Sequence, residues 1–349
     1  MPIPGLGVAP TGGLYNELTA VTRRAFVPKL FVQMYFASPT LYYLMGGAQR
    51  AAGGLNQVTI PMQGQSMVQG QFTGYGGGFN SPNIIPGIQN GQFNLAYWVV
   101  PIPLPFGETV IQATDREISV LKARMNDAYA VTRQNVARLL FTNNSGNSLY
   151  PNSFIDAFDN GTNVPSYGGI NRLAAGNQAF QGQYINLGAA PWNLGSTGFT
   201  RKSMAAFLEY VTDNAGGESP TFVVMNPADH ATLNGDFIGN EQQFVTPGNA
   251  NDGKYNINSS ARSSFPNLNV SGVPIFSDHF VPKGNVFGCN VKYSNLYVSE
   301  DAFFDFSGFY SLVPLGQIGQ QGVCIFGYDF LSAKSVSGFW GFGLGGASW

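Results

Sequence analysis

Residues 114–141 have the sequence TDREISVLKARMNDAYAVTRQNVARLLF and form the longest helical pattern in the chain. Apolar residues recur at three- and four-residue spacing, and most charged residues fall outside that stripe. The stripe consists of Ile118, Leu121, Met125, Tyr129, Thr132, Val136 and Leu139. A helix of this length would span roughly 40 Å at ~1.5 Å per residue, which is the width of a domain.

Residues 51–107, directly before this helix, contain no charged side chain. Within them, residues 58–62 and 93–99 alternate apolar with other residues, as β-strands do. Asn90-Gly91 is a typical hairpin turn sequence and predicts an intersubunit hairpin turn at that point. An isolated, uncharged hairpin is marginally stable and poorly protected from aggregation in water. We therefore expect a two-stranded arm that lies along a neighbouring subunit.

Three prolines follow at alternate positions, Pro101, Pro103 and Pro105. Proline has no N–H group to donate to a β-ladder and is confined to edge strands, strand starts and bulges. The spacing therefore predicts that this segment lies at a sheet edge.

The rest of the chain predicts a mixed α+β body. After the loop-rich residues 143–199, a second helix is expected to start at Thr200 or Ser203. A short buried strand at 221–225 precedes a third helix with Pro227 at its first position. Further short strands are expected around 273–276, 286–287 and 295–298.

Composition excludes several classes of protein. Of the 349 residues, 44% are hydrophobic and 10% are charged, whereas an average globular domain has about 25% charged residues. Such a chain has ample material for a core, so it is not a disordered protein. The net charge of −2 excludes a strongly basic nucleic-acid binder. The charge is uneven, however: residues 1–140 hold nine basic and five acidic groups, a net of +4.

Sequence motifs that could indicate a catalytic, cofactor or metal site are weak, and we predict none of these sites. The only two cysteines, Cys289 and Cys324, lack metal-ligand spacing, and there are only two histidines. The glycine pattern of residues 341–346 matches GxGxxG but leaves no room for the helix that a dinucleotide site needs.

Two acidic segments are also better explained by structure than by chemistry. Ser277-Asp278-His279 contains the residue types of a catalytic triad, but triads converge in space rather than in sequence. Asp156, Asp159, Asn160 and Asn163 lack the spacing of a calcium loop. Turn formation is the better account of that segment.

Three stretches resemble one known family. Residues 26–41, leading to 58–61, look like an N-terminal arm that enters an extended loop. Tyr-Gly-Gly-Ile-Asn-Arg at 167–172 is similar to a motif that follows the long helix, and residues 222–229 look like a strand–helix junction. With the order of elements, these stretches resemble the major capsid protein of tailed bacteriophages, which has the Johnson fold.

The resemblance implies an α+β capsid fold with the following parts. They are an N-terminal arm at 1–50, an extended β-hairpin loop at 51–113, a peripheral domain with the spine helix at 114–199, an axial domain at 200–310 and a C-terminal return to the peripheral domain at 311–349. It also implies a non-enzymatic protein of the virion, which self-assembles into hexamers and pentamers of an icosahedral shell around double-stranded DNA.

The resemblance implies partners as well. No charged helical segment precedes residue 14, so we expect a separate scaffolding protein or none, together with a portal and a decoration protein, and no membrane. Arg23, Arg24 and Lys29 are candidates for non-specific contact with packaged DNA, in view of the positive excess of the first 140 residues. The alternative for these three residues is hydrogen bonding within the shell.

Three other classes remain open from the sequence. Low charge with abundant glycine and aromatic residues also suits an outer-membrane β-barrel, although the 114–141 helix and the prolines within strands oppose it. An encapsulin-type nanocompartment shares the shell fold and would enclose a cargo enzyme. A secreted carbohydrate-binding or hydrolytic β protein lacks a supporting pair of carboxylates.

Overall fold

The structure is a computed structural model of the 349-residue chain. The residues that it describes are 38–51, 57–63, 72–73, 75, 77, 87–105, 114–194, 198–240, 267–312, 315 and 319–344. The helices within them are α1 (Pro39–Gly46), α2 (Thr114–Leu139), α3 (Phe154–Phe158), α4 (Arg201–Asn214) and α5 (Pro227–Asn240).

The strands form two larger sheets and two hairpins. The strands are β1 (Gln49–Ala51), β2 (Gln57–Gln63), β3 (Ile88–Asn94), β4 (Ala96–Pro105), β5 (Ser166–Tyr167), β6 (Ile170–Asn171), β7 (Gln183–Asn186), β8 (Phe222–Met225), β9 (Asn267–Val270), β10 (Val273–Ser277), β11 (Asn285–Cys289), β12 (Ser294–Ser311), β13 (Gly319–Ser332) and β14 (Phe339–Phe342). The four-stranded sheet has the order β1-β12-β13-β4, and the six-stranded sheet has the order β7-β14-β11-β8-β10-β9. β2 pairs with β3, and β5 pairs with β6.

The long helix α2 lies beside β4. The indole Nε1 of Trp98 donates to Thr132 Oγ1 at 3.2 Å, and Thr132, Val136 and Leu140 are buried. The predicted helix is thus confirmed. Of the predicted stripe, Thr132 and Val136 are buried, whereas Leu139 is only partly buried and its neighbour Leu140 is fully buried instead. β4 is an edge strand among the strands described, as its three prolines predict.

The predicted helix–strand–helix segment of the body is confirmed. α4 begins after Thr200, whose hydroxyl accepts from Ser203 N, and ends before two glycines of positive φ, Gly216 and Gly217. Its apolar face is fully buried against the six-stranded sheet through Met204, Phe207, Leu208 and Val211. The helix α5 begins with Pro227, one residue after the end of β8, and extends to Asn240.

The uncharged hairpin is confirmed in part. β2 and β3 pair in antiparallel register, with Ile60 opposite Gly91 and Pro61 opposite Asn90. Asn90-Gly91 therefore lies inside β3, and the predicted turn at these residues is wrong. The second predicted strand also divides at Leu95, because its later half joins β13 as β4.

One buried core joins the two larger sheets, and its centre is aromatic. The centre of the Phe154 ring of α3 lies 4.6 Å from that of Phe330 on β13 and 5.9 Å from that of Phe287 on β11, and both pairs are tilted. Phe141, just after α2, lies 5.3 Å from Phe287. Aromatic residues bury roughly 150–250 Å² each, so this cluster fixes the end of α2 against both sheets.

Sheet membership crosses the domain boundaries drawn from the sequence. β12 falls almost wholly within the predicted axial range 200–310 but belongs to the sheet that lies beside α2. β7 falls within the predicted peripheral range 114–199 but belongs to the six-stranded sheet, as does β14 near the C-terminal end.

Candidate functional site

The base of the β2–β3 hairpin is fixed to the body by the small β5–β6 hairpin. The backbone N–H of Gln92 donates to the carbonyl of Gly168 at 2.9 Å. The rings of Phe93 and Tyr167 lie 4.7 Å apart, and both side chains are buried. The uncharged arm therefore leaves the body from a packed, hydrogen-bonded junction, which we call the arm base: residues 91–93 and 166–172.

Two glycines allow this close approach. Gly168 has φ +58°, and a Cβ there would lie 2.5 Å from Phe93 Cζ and 3.0 Å from the Cα of Gly91. At Gly91, a Cβ would lie 2.8 Å from both Met62 Sδ and Phe93 Cε2. A side chain at Gly91 would therefore crowd Met62 and Phe93. Asn90-Gly91 is not a turn because both residues pair with β2, opposite Pro61 and Ile60.

A buried guanidinium lies behind the arm base. The Arg172 side chain is fully buried, and its Nη1 donates to the carbonyl of Asp156 at 2.8 Å. Its Nη2 donates to the carbonyl of Ala157 at 2.7 Å, and its Cζ lies 4.7 Å from the centre of the Tyr167 ring. Arg172 therefore links the end of the β5–β6 hairpin to α3 through charge-assisted hydrogen bonds. This linking role of Arg172, the last residue of the motif at 167–172, was not predicted from the sequence.

The acidic residues of this region organise loops, as predicted. The Asp159 carboxylate accepts from the backbone N–H groups of Gly161, Asn163 and Val164 at 2.8 to 2.9 Å. The Asp156 carboxylate caps α3 by accepting from Ser153 N and Oγ, both at 2.9 Å. Burial raises the pKa of Asp156 to about 6, and burial also lowers the pKa of Arg172.

A second buried carboxylate fixes the loop after α2 to β13. Asp329 accepts from the backbone N–H of Asn152 at 2.6 Å and from its side-chain amide at 2.7 Å. Burial raises the pKa of Asp329 to about 8, and the nearby Asp156 carboxylate adds to this rise. Close by on β13, the Ser332 N–H donates to the Tyr167 hydroxyl at 3.0 Å, so the same strand also supports the arm base.

We predict that the contribution of Asp329 to stability falls as the pH rises from about 4 to about 8. The folded chain keeps a proton on Asp329 that the unfolded chain, with an ordinary pKa of 3.8, has already lost. The stabilising contribution of the Asp329 proton is complete below about pH 4 and is lost as the pH approaches 8. Asp156, whose pKa is raised to about 6, adds a stabilising contribution that is lost as the pH approaches 6. Asp329→Asn should flatten this slope in thermal unfolding across the pH series, whereas the exposed control Asp305→Asn should keep it. An unchanged slope in Asp329→Asn would contradict the prediction.

The Ser277-Asp278-His279 segment has a structural role. Asp278 is buried, and its Oδ2 accepts from the Ser38 hydroxyl and, at 2.7 Å, from the Thr40 hydroxyl. Ser38 is also the N-cap of α1. The carboxylate therefore holds the start of α1 against the end of β10, a role that the sequence did not reveal. His279 is exposed.

The other chemical motifs have ordinary surroundings. Cys289 and Cys324 are free and buried, and burial raises the pKa of the Cys289 thiol to about 12. Gly341 lies in the strand β14, as expected of a packing segment.

Among the described residues, no group of three His, Cys, Asp or Glu side chains is arranged to hold a metal ion. No helix in the same ranges combines the length and hydropathy needed to cross a membrane.

Arg23, Arg24 and Lys29 lie outside the described residues, as do residues 1–37 in general. Their predicted contact with DNA stays a prediction. The structure brings together Gly91 and the motif at 167–172, two features that the sequence indicated separately.

No protein-family model and no curated protein matches the sequence. The capsid asymmetric unit of cyanophage A-1(L) is matched with a TM-score of 0.61 and 16% identity over 88% of this chain and 93% of that chain. The capsid of a native GTA particle is matched with a TM-score of 0.51 and 12% identity over 86% and 89%.

Each of these two likenesses covers more than four fifths of either chain. The structure also has the element order that we predicted from the sequence: an uncharged hairpin, one long helix, then an α+β body. The chain therefore has the α+β fold of phage capsid proteins.

Proposed function

We propose that this chain is a structural shell protein, without catalysis, that assembles into the hexamers and pentamers of an icosahedral viral capsid around double-stranded DNA. The observation that carries the proposal is the uncharged hairpin fixed at a packed base on a capsid-type body. In the proposal the protein belongs to the virion and contains peripheral and axial domains, for which the boundaries at 114–199 and 200–310 remain predictions.

The exposure of apolar residues along the hairpin supports this proposal. Phe72 and Tyr75, which lie in the connection between β2 and β3, are fully exposed in the single chain, and Ile88 is 47% exposed. Large exposed apolar side chains within an uncharged segment indicate a surface that a partner covers. In the proposed shell this partner is a neighbouring copy of the chain.

The fixed arm base supports it too. Ordering a segment costs roughly 1–2 kcal/mol per residue in conformational entropy. An arm with a fixed base samples fewer conformations before binding, so it loses less entropy when it binds. The contacts of Gly168 and Phe93 define the direction in which the hairpin leaves the body. Subunits that must meet at repeated angles require such a defined direction.

Assembly of the purified chain tests the proposal. We expect closed shells, rings or capsomers in negative-stain microscopy and matching fast species in sedimentation velocity. Phe72→Ser with Tyr75→Ser should reduce the shell yield several-fold, because these exposed side chains lose their apolar contact area. The matched control is Leu149→Ser with Tyr150→Ser, an exposed apolar pair in the loop after α2.

Three outcomes would contradict the proposal. A well-behaved monomer at high concentration, or a species soluble only in detergent, would exclude self-assembly into a shell. Shells that enclose a cargo enzyme and no DNA would favour the nanocompartment alternative.

For partners, the proposal includes packaged DNA and a separate scaffolding protein, a portal and a decoration protein. Contact with DNA is assigned to Arg23, Arg24 and Lys29 through phosphates, in keeping with the net charge of +4 in residues 1–140. Replacing Arg23 and Arg24 by Gln should lower the DNA content of the particles while assembly continues. Normal assembly with normal DNA content would assign these residues to hydrogen bonding within the shell instead.

A further inference from the structure

The three prolines of β4 occupy alternate positions in its pairing with β13. Pro101, Pro103 and Pro105 lie opposite Val323, Gln321 and Gly319, while the residues between them, Ile102 and Leu104, lie opposite Gly322 and Gln320. In an antiparallel pair, successive residues alternate between pointing their backbone groups at the partner strand and pointing them away. The three prolines therefore direct their backbone nitrogens to one and the same side of β4.

That side is the outer one among the described strands. Val323, opposite Pro101, donates its N–H to the Ser307 hydroxyl on β12 at 3.1 Å, away from β4. Hydrogen bonds between β4 and β13 thus run through the even-numbered residues of β4. The carbonyl groups of the odd-numbered residues therefore lie at the outer edge of the sheet. The N–H groups of those odd-numbered residues that are not proline lie there as well.

The edge from residue 101 to 105 consequently offers acceptors without backbone donors. Pro101, Pro103 and Pro105 each present a carbonyl oxygen, but none has an N–H group. The Pro103 carbonyl accepts from Arg124 Nη1 of α2, so a side-chain cation satisfies this acceptor. A β-strand cannot form a complete ladder with such an edge, because half of the hydrogen bonds require donors from the edge strand.

We propose that the proline register of β4 blocks strand addition at this edge, so that another copy of the chain cannot extend the four-stranded sheet there. Such an edge matters because β4 is ten residues long and has exposed apolar side chains next to the prolines, with Val99 50% exposed. Long apolar edges are sites of uncontrolled pairing between copies. This inference rests on the sheet topology and does not depend on the proposed shell function.

Restoring the donors tests the proposal in the full chain. Pro101→Val with Pro103→Val returns two N–H groups to the outer edge, and we expect pelletable material that binds thioflavin T to increase several-fold. The matched control, Pro101→Lys with Pro103→Lys, returns the same donors but adds charges that oppose edge pairing, and should remain near the parent level. Far-ultraviolet circular dichroism before incubation verifies that each variant starts folded. Equal aggregation of the parent and the valine variant would overturn the proposal.

A second pair of variants tests the register itself. Val99→Pro removes an outward N–H and should leave the thermal unfolding midpoint almost unchanged. Val100→Pro removes a donor that faces Cys324 of β13 and should lower the midpoint clearly. If Val99→Pro lowered the midpoint more than Val100→Pro, the backbone nitrogens of the odd-numbered residues would face β13 and not the outer edge. That result would overturn the proposal, whatever the aggregation result.

Discussion

Replacement of Arg172 by methionine is expected to lower the free energy of unfolding by about 1–3 kcal/mol for each buried carbonyl that loses its donor. The guanidinium donates to the carbonyls of Asp156 and Ala157, and both residues belong to the buried helix α3. Methionine fills much of the volume but has no donor, so these carbonyls stay in the core without their charged partner. The carboxyl of Asp156 also loses a nearby positive charge.

Two further substitutions isolate the cause. Arg172→Lys keeps the charge but loses the forked geometry, and should fall between the parent and the methionine variant. Arg138→Met, at an exposed position of α2, should change stability by less than about 0.5 kcal/mol. Urea unfolding provides the free energies, and hydrogen exchange of residues 88–94 reports whether the hairpin loosens at its base. Equal stability of Arg172→Met and Arg138→Met would contradict the assigned role.

The long helix and the helix–strand–helix of the body were predictable because their signals are local. The stripe in residues 114–141, the Thr200 cap and the proline at position 227 each act within a few residues of the chain. The edge position of β4 was predictable for a similar reason, since a missing N–H is a property of proline itself.

The arm base was only partly predictable, because its glycines serve contacts between distant segments. Asn-Gly favours a hairpin turn when its surroundings are open. Here Gly91 faces Gly168, which is 77 positions further along the chain, and the missing side chains allow the strand and the turn to touch. Sequence alone identifies a glycine that is needed but does not show whether a positive φ or a close neighbour requires it.

The buried charges were missed for a related reason. Arg172, Asp278 and Asp329 carry side chains of types that are usually exposed, yet all three are buried here. Their partners come from far away in the chain: Asp329 is bound by Asn152, and Asp278 by Ser38 and Thr40. Their burial therefore depends on tertiary packing, which no local pattern encodes.

Two adjacent glycines allow the contact at the arm base to be measured separately from backbone strain. Gly168 and Gly169 have φ values of +58° and +81°, so alanine at either position costs about 1–2 kcal/mol for the left-handed conformation. Only Gly168 is crowded: a Cβ there would lie 2.5 Å from Phe93, whereas nothing lies within 4 Å of a Cβ at Gly169. Gly168→Ala should therefore lose a further ~1–3 kcal/mol from overpacking.

The difference between these two variants also predicts an effect on assembly. In Gly168→Ala the added methyl group must displace the Phe93 ring, which lies 4.7 Å from Tyr167, and so separate β3 from the β5–β6 hairpin. We expect faster hydrogen exchange in residues 88–94 and a several-fold lower yield of shells than in Gly169→Ala, which has the same strained backbone but an intact contact. If both variants lost stability and shells equally, the close contact between Gly168 and β3 would have no part in holding the arm, and the left-handed backbone alone would account for the pair of glycines. If Gly168→Ala alone fails, the direction of the arm depends on one turn of the β5–β6 hairpin.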